Sequence, residues 1–258
     1  ENMNGIAVVL IFGVLLSSSL HAQEAADAYF DPETMERARH EIRHHHGGQV
    51  ISFLSGERVE YQSNEGDPVA VWEGQGWVGT DLNKFWIKTE GEFSGDEDRF
   101  EELEIQTLYS RAVAPFWDLQ AGLRHDFKPD PSRSFAVLAV QGLAPYWFEI
   151  DTSLFISHKG DVSARLEAEY ELLLTQRLIL QPRVEMNLAL HDDEPTGTGS
   201  GLNNFEAGLR LRYEIIREFA PYIGINWNRF TGETADMRRR EGEAAESLSF
   251  VAGIRFWY

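Results

Sequence analysis

The chain has 258 residues, a formal net charge of -19 and no cysteine. The negative charge argues against binding to a nucleic-acid backbone, and the lack of cysteine excludes disulfides, cysteine-ligated zinc and thiol catalysis. Because 25% of the residues are charged, a bundle of membrane-spanning helices is not expected.

The first element is an apolar run, GIAVVLIFGVLLSSSL, from Gly5 to Leu20. It is short for a spanning helix and is followed by HAQEAADA, a pattern typical of a secretory signal peptide. We therefore expect residues 1–22 to be a signal peptide cleaved after Ala22, with Ala28 as the second choice. A retained membrane anchor is the alternative, since no Lys or Arg precedes the run.

Residues 23–48 form a polar arm with few large apolar side chains. We expect this arm to be flexible or partly helical and to lie outside the main domain. Imidazole groups suit copper, zinc and nickel, and a thioether adds a preference for Cu(I). The arm therefore predicts a metal site, with a solvated polar linker as the alternative. The candidate ligands are Met35, His40, His44, His45 and His46.

From residue 49 to the end, short amphipathic segments alternate with turn signals, which predicts strands. Short turns are expected at 80–83, 113–115, 143–145 and 175–177, and longer polar loops between them. That alternation, with an even number of strands, is typical of an outer-membrane barrel whose termini face the periplasm. The predicted strands are 50–62, 68–79, 83–94, 99–113, 115–127, 133–143, 145–156, 161–174, 177–191, 202–214, 218–230 and 246–258.

Charges recur on one face of these strands. The segment SARLEAEYEL places Arg165, Glu167, Glu169 and Glu171 opposite an apolar face, and QPRVEMNLAL and FEAGLRLRYEI repeat the pattern. A soluble sandwich would turn the apolar face inward, whereas a barrel in a bilayer turns it to lipid and lines its lumen with charge. The signal peptide and the strand lengths favour a closed antiparallel outer-membrane β-barrel of about twelve strands, residues 49–258. Expected rim aromatics are Trp77, Trp86, Trp117, Trp147 and Tyr222.

The last strand ends in GIRFWY. Gly253, Phe256 and Tyr258 fit the terminal pattern that the barrel assembly machinery reads in bacterial barrel proteins. The alternative is the final core strand of a secreted soluble domain.

Polar side chains of the lumen and its mouth could offer weak cation sites that allow release. Charge pairs that simply pack a narrow barrel are the alternative explanation. His125, His158 and His191 are all expected near the long-loop end of their strands. The candidate lumen or mouth sites are Glu90, Glu92, Asp118, His191, Glu206 and Glu214.

No enzyme motif is evident. The segment GTGSG (197–201) has the wrong serine spacing for a nucleophile elbow, and the sequence holds no P-loop and no H-E-x-x-H. A lipase-like barrel would need a Ser–His pair on the lipid-facing rim, which the sequence pattern does not reveal. We therefore do not expect an enzyme.

Seven segments, in order over about 46–258, resemble the bacterial copper-resistance protein B family. They are SGERVEYQ, LNKFWIKTEGE, LYSRAVAPFWDLQAGLRHD, QGLAPYWFEIDTSLFIS, RLEAEYELLLTQRLILQPRVEMN, GSGLNNFEAGLRLRYEIIREFAPYIGINW and FVAGIRFWY. The resemblance implies an outer-membrane barrel in copper homeostasis in a Gram-negative bacterium, with its arm in the periplasm.

The resemblance also implies copper as the bound or transported ion, and periplasmic copper-handling partners such as a multicopper oxidase. Members often carry long Met- and His-rich arms, whereas this arm is reduced to Met35, His40 and the run from His44 to His46. A general small porin without metal specificity is the alternative function.

Overall fold

The computed structural model describes residues 29–46, 49–63, 68–95 and 98–258. The expected signal peptide, residues 1–22, lies outside the described residues. Within these residues, two α-helices and thirteen strand segments follow each other. They are α1 Pro32–His46, β1 Ile51–Ser63, β2 Val69–Gly79, β3 Asn83–Ser94, β4 Arg99–Ala114, β5 Trp117–Lys128, β6 Arg133–Ala144, β7 Phe148–Ser157, β8 Val162–Glu169, β9 Leu172–Leu173, β10 Leu178–Ala189, β11 Gly201–Tyr213, β12 Phe219–Phe230, α2 Gly232–Glu241 and β13 Glu246–Trp257.

The strands form one antiparallel sheet that closes on itself. Each strand pairs with its neighbours in sequence except that β8 and β9 do not pair with each other, and β13 pairs with β1 from Ser55↔Trp257 to Ser63↔Phe250. Both β8 and β9 pair with β10, so they form one wall strand that is interrupted at Tyr170 and Glu171. The barrel therefore has twelve strands, as the sequence predicts, and closure leaves no open edge in lipid.

No helix in the described parts of the chain is both long enough and apolar enough to cross a membrane.

The outer wall is apolar because alternate side chains of every strand point outward. Exposed outward residues include Tyr61, Ile87, Leu123, Ile223 and Phe250. The opposite parity carries the charges: Arg58, Glu60, Arg183, Glu185 and Arg210 are each less than 7% exposed. An apolar exterior around an ionic interior is the arrangement of a β-barrel in a bilayer.

Three of the expected rim aromatics face the interior, so that prediction is wrong for them. Trp86 is 7% exposed and packs with Leu108 and Phe155, and Trp77 packs against the same cluster. The Tyr222 hydroxyl donates a hydrogen bond to Glu60 Oε2 at 2.9 Å. Parity explains the error, because each of these rings lies on the face of its strand that carries the polar residues.

The two rims differ less than expected. Of the predicted longer loops that the structure describes in full, the one at 127–134 is reduced to 129–132 because β5 and β6 extend further, whereas 190–200 and 231–245 remain long. The last of these contains α2, which the sequence pattern does not predict. The rim that carries these two segments is called the long-loop rim below, and the rim that carries Ile51 and Trp257 is the short-turn rim.

Helix α2 packs on the 190–200 loop. The Gly199 N–H donates to Thr234 Oγ1 at 2.8 Å, and a Cβ on Gly199 would lie 2.6 Å from the Thr234 nitrogen. Only glycine permits this approach. The helix stops at Gly242, which has a φ of 86° and a left-handed conformation that ends helices.

Candidate functional site

The interior of the barrel is crossed by a connected set of ion pairs. Arg183 is the hub: its guanidinium lies 2.9 Å from Glu167, 2.8 Å from Glu185 and 3.2 Å from Glu206. It also reaches Glu73 on the far wall at 3.4 Å. A guanidinium presents five N–H donors, so one arginine can bind several carboxylates at once.

Two further arginines extend this set to both sides. Arg165 bridges to Glu90 at 2.5 Å and to Glu104 at 3.2 Å. Arg58 lies 3.3 Å from Glu206 and 3.1 Å from Glu60. We call the connected set the lumen network. It comprises Arg58, Arg124, Arg165, Arg183 and Arg210 with Glu60, Glu73, Glu90, Glu104, Asp126, Glu167, Glu185 and Glu206.

The lumen network has more carboxylates than guanidinium groups, eight against five. A bulge in β1, where the register shifts after Gly56, turns both Glu57 and Arg58 inward. Nearer the short-turn rim, Arg255 lies 2.8 Å from Glu57 and 2.7 Å from Glu171. The interior is therefore acidic although every buried arginine is paired, and it attracts cations.

A cavity of about 310 Å³ lies within this interior. Its lining combines network residues, such as Glu73 and Arg165, with Lys88, which bridges to Asp151 at 2.6 Å. The bridges Lys88–Asp151 and Arg165–Glu90 join walls that are several strands apart. The middle of the lumen is thus filled by polar side chains and does not form a wide pore.

The predicted lumen residues differ in whether they form ion pairs. Asp118 pairs with Lys84 at 2.8 Å, and Glu214 lies 3.8 Å from Arg212. Glu90 and Glu206 belong to the lumen network. Glu92 makes no ion pair within 4 Å among the residues that the structure describes. Most of these carboxylates are thus held in ion pairs, which is the alternative that the sequence pattern leaves open. Of the predicted lumen carboxylates, Glu92 is the one that remains available to a cation.

The arm is helical next to the barrel. Asp31 caps α1, because its Oδ2 accepts hydrogen bonds from the Thr34 N–H at 3.1 Å and from the Thr34 hydroxyl at 3.2 Å. Met35 is half-buried and His40 is exposed. Positions 40 and 44 share one face of this helix, whereas positions 35 and 40 lie about 140° apart around its axis. The intact helix therefore separates Met35 from the His40–His44 pair.

Two other histidines come together at the long-loop rim, on the outer wall. His125 of β5 pairs in register with Ser134 of β6, and its Nδ1 lies 2.8 Å from Ser134 Oγ. His158 directly follows β7, and its backbone N–H donates a hydrogen bond to the Ser134 carbonyl oxygen at 2.9 Å. His191, by contrast, lies exposed in the loop after β10. The sequence places all three histidines near this rim, and only the register shows that two of them flank one serine.

The Ser134–His125 contact is the kind of pair that a lipid-facing hydrolase would need. A catalytic dyad also needs a group that orients the histidine, and donors for an oxyanion. Within the described ranges, His125 has no hydrogen bond to a carboxylate, and its ring packs edge-on against Phe127 at 4.5 Å. Among the described residues, the pair therefore lacks a carboxylate that would orient His125.

The 190–200 loop holds two carboxylates at the same rim. The Ser200 N–H donates to Asp192 Oδ1 at 2.6 Å, and this hydrogen bond holds the pKa of Asp192 below its ordinary value of 3.8. Asp193 accepts two hydrogen bonds of 3.0 Å from Arg133. Burial alone would raise the pKa of Asp193, and the Arg133 guanidinium outweighs it so that the pKa is lowered. Both carboxylates are thus engaged in holding the loop.

Within the part of the chain that is described, no three histidine, aspartate or glutamate side chains are arranged to hold a metal ion. The side chains of residues 43–46 are outside that description. The sequence-based ligand set of the arm therefore stays a prediction.

Comparison with known proteins gives one consistent family. A family model described as copper resistance protein B precursor (CopB) matches residues 50–258. Copper resistance protein B of Escherichia coli is 47% identical over 213 residues, which cover 83% of this chain and 71% of that protein. The copper resistance protein B homolog of Pseudomonas syringae pv. tomato (strain ATCC BAA-871 / DC3000) is 41% identical over 214 residues, covering 83% and 72%.

Among solved structures, the NanC porin is similar with a TM-score of 0.52 and 12% sequence identity. The match covers 80% of this chain and 99% of the porin. At that identity the similarity supports the barrel fold alone.

Proposed function

Because this chain belongs to the copper resistance protein B family, we propose that it acts in copper resistance by binding copper ions and helping to sequester or export them across the outer membrane. In this proposal the arm, residues 23–48, lies in the periplasm after removal of residues 1–22 and captures copper through neutral imidazoles. The acidic lumen then attracts the released cation.

The observation that carries the proposal is the histidine content of α1, immediately before the barrel. Four histidines occupy positions 40 to 46, and positions 40 and 44 share a helical face. Two imidazoles spaced in this way can bind one metal ion, and imidazole ranks among the ligands that suit copper. Met35 would join them only if the helix unwinds, which suits a second binding mode with Cu(I).

The lumen supports release better than tight binding. Its carboxylates are shared with arginine, and carboxylate oxygen is a poorer copper ligand than imidazole. Among the predicted lumen carboxylates, Glu92 is the one best suited to bind a passing cation, because the others already form ion pairs with arginine or lysine. Those others are Glu90, Asp118, Glu206 and Glu214. Periplasmic copper proteins such as a multicopper oxidase would load the arm, and the barrel assembly machinery would insert the chain.

The test is copper stoichiometry. Replacement of His40, His44, His45 and His46 by alanine should lower the copper bound per protein at pH 7 and lower cellular copper tolerance. Acidification should also release copper from the wild type, because protons compete with the metal for imidazole nitrogen. Isothermal titration of the purified protein with Cu(II) and Cu(I) gives the stoichiometry.

The matched control is replacement of Glu33, Glu36 and Glu41 by glutamine, which alters the same helix but leaves every imidazole. Both variants should show the same heat-dependent mobility on a denaturing gel, which confirms that the barrel has assembled. Equal copper binding by the wild type and the histidine variant would refute copper capture by the arm.

A further inference from the structure

The long-loop rim carries a row of three polar side chains on the outward faces of β5, β6 and β7. In that row Ser134 lies between His125 and His158, on three adjacent strand ends. His125 is three residues from the end of β5, Ser134 is the second residue of β6, and His158 follows β7. All three therefore lie at the headgroup level of a spanning barrel rather than in its hydrocarbon belt.

Both imidazoles turn toward the same serine. His125 Nδ1 lies 2.8 Å from Ser134 Oγ, and His158 Nδ1 lies 3.4 Å from the Ser134 nitrogen. Neighbouring strands are about 4.8 Å apart, so the backbones that carry the two histidines are about 10 Å apart across β6. Two imidazoles that point toward each other can cover that gap with one metal ion between them, at about 2 Å from each nitrogen.

Serine at the central position makes this possible, because a larger side chain would fill the space between the rings. The ring of Phe127 packs edge-on against the imidazole of His125, with the two ring centroids 4.5 Å apart, and limits the orientation of that imidazole. The Ser134 hydroxyl can hydrogen-bond an imidazole in the absence of metal and a metal-bound water in its presence. No contact with a carboxylate or an arginine in the described residues competes for His125 or His158.

We propose that His125 and His158 form a two-imidazole copper site on the outer face of the long-loop rim, with Ser134 between them and water completing the coordination. In the proposed orientation this rim faces the cell exterior, so the site would hold copper at the end of the barrel opposite the arm. The choice of copper over zinc or nickel rests on the proposed function, because imidazole alone accepts all three metals.

The experiment starts from the assembled protein in which His40, His44, His45 and His46 are already alanine, so that the arm contributes nothing. Cu(II) is titrated into this background protein and into versions that also carry His125→Gln, His158→Gln or Arg229→Gln. Arg229 is the control, because it is an exposed residue of the same rim, on β12, and lies outside the row.

We expect the background protein to bind one Cu(II), with nitrogen hyperfine splitting in its electron paramagnetic resonance spectrum. His125→Gln and His158→Gln should each weaken this binding at least tenfold and reduce the nitrogen splitting, and Arg229→Gln should leave both unchanged. Ser134→Leu should weaken binding without removing an imidazole, whereas Ser134→Ala should retain it. Heat-dependent gel mobility confirms that every variant has assembled.

Three outcomes would overturn the rim site: no copper bound by the background protein, binding in His125→Gln and His158→Gln equal to that of the background protein, or an equal loss of binding in Arg229→Gln. The proposed function is judged separately, from the difference between the wild type and the background protein. Copper bound by the wild type but not by the background protein would refute the rim site and support the arm. The reverse pattern, with copper bound equally by both and lost in His125→Gln, would support the rim site and refute capture by the arm.

Discussion

At the scale of single residues, the interior is organised around arginines that each serve several carboxylates. The Arg183 side chain is 4% exposed and contacts Glu73, Glu167, Glu185 and Glu206. Lysine could not replace it, because a single ammonium group lacks the planar fork that binds carboxylates on several sides. Its removal would leave buried carboxylates without a counter-charge, which costs more than the loss of one hydrogen bond.

We therefore expect Arg183→Gln to destabilise the barrel by about 3–5 kcal/mol, the usual cost of breaking a buried pair by removing one partner. Arg239→Gln is the control, since Arg239 is 61% exposed and pairs only with Asp236 in the described residues. Its cost should be at most about 1 kcal/mol. Urea unfolding in lipid vesicles measures both values. A stability of Arg183→Gln equal to that of the control would show that the network does not depend on its hub.

At the scale of elements, hydrogen bonds join the 190–200 loop at the long-loop rim to β6 and to α2. Arg133 at the start of β6 binds Asp193, and the same loop meets α2 through Gly199 and Thr234. Thr234 is 5% exposed, and its hydroxyl accepts the Gly199 N–H. The loop and the helix thus support each other outside the barrel wall.

Thr234→Val keeps the shape of the side chain and removes the acceptor for the Gly199 N–H. An unsatisfied buried donor costs about 1–3 kcal/mol, so α2 should open more often. Trypsin should then cut faster at Arg238, Arg239 and Arg240. Thr234→Ser restores the hydroxyl and should restore resistance to trypsin. Equal cleavage rates in the Val and Ser variants would mean that this hydrogen bond does not hold the helix.

The sequence predicts the elements of the wall well and their contacts poorly. Alternation of charge and apolar residues identifies the inward face of β8, β10 and β11, because the side-chain period of a strand is two. It does not reveal that Arg165 meets Glu104 or that Arg183 meets Glu73, since these pairs are 61 and 110 residues apart in the chain. Residue type alone predicts aromatic side chains at the rim, whereas parity places Trp86 and Tyr222 inside the barrel.

The sequence pattern predicts neither helix α2 nor the histidine pair at the rim, for different reasons. The helix has few apolar residues and lies in a segment whose composition is typical of a polar loop. Its formation therefore depends on tertiary contacts of the buried residues Thr234 and Met237. His125 and His158 are far apart in the sequence, and each alone resembles a surface residue. The register of β5, β6 and β7 brings both beside Ser134, and the sequence pattern alone does not give that register.

At the scale of the whole molecule, the lumen is narrow, bridged and acidic. Lys88 reaches Asp151, Arg165 reaches Glu90 and Arg183 reaches Glu73 across the interior. A general porin requires a continuous water-filled channel that is wide enough for small solutes. The bridged interior instead suits small cations that exchange between carboxylates, in agreement with the proposed function.

Purified protein in liposomes should therefore exclude small neutral sugars while showing a small, cation-selective conductance in planar bilayers. The double variant Lys88→Ala and Arg165→Ala removes two bridges and two positive charges, so conductance should rise and cation selectivity should increase. Arg239→Ala, which removes an exposed charge outside the lumen, should leave both unchanged. Sugar flux through the wild type at the rate of an open porin would favour the general porin, because solutes of that size cannot pass the bridges that Lys88, Arg165 and Arg183 form across the lumen.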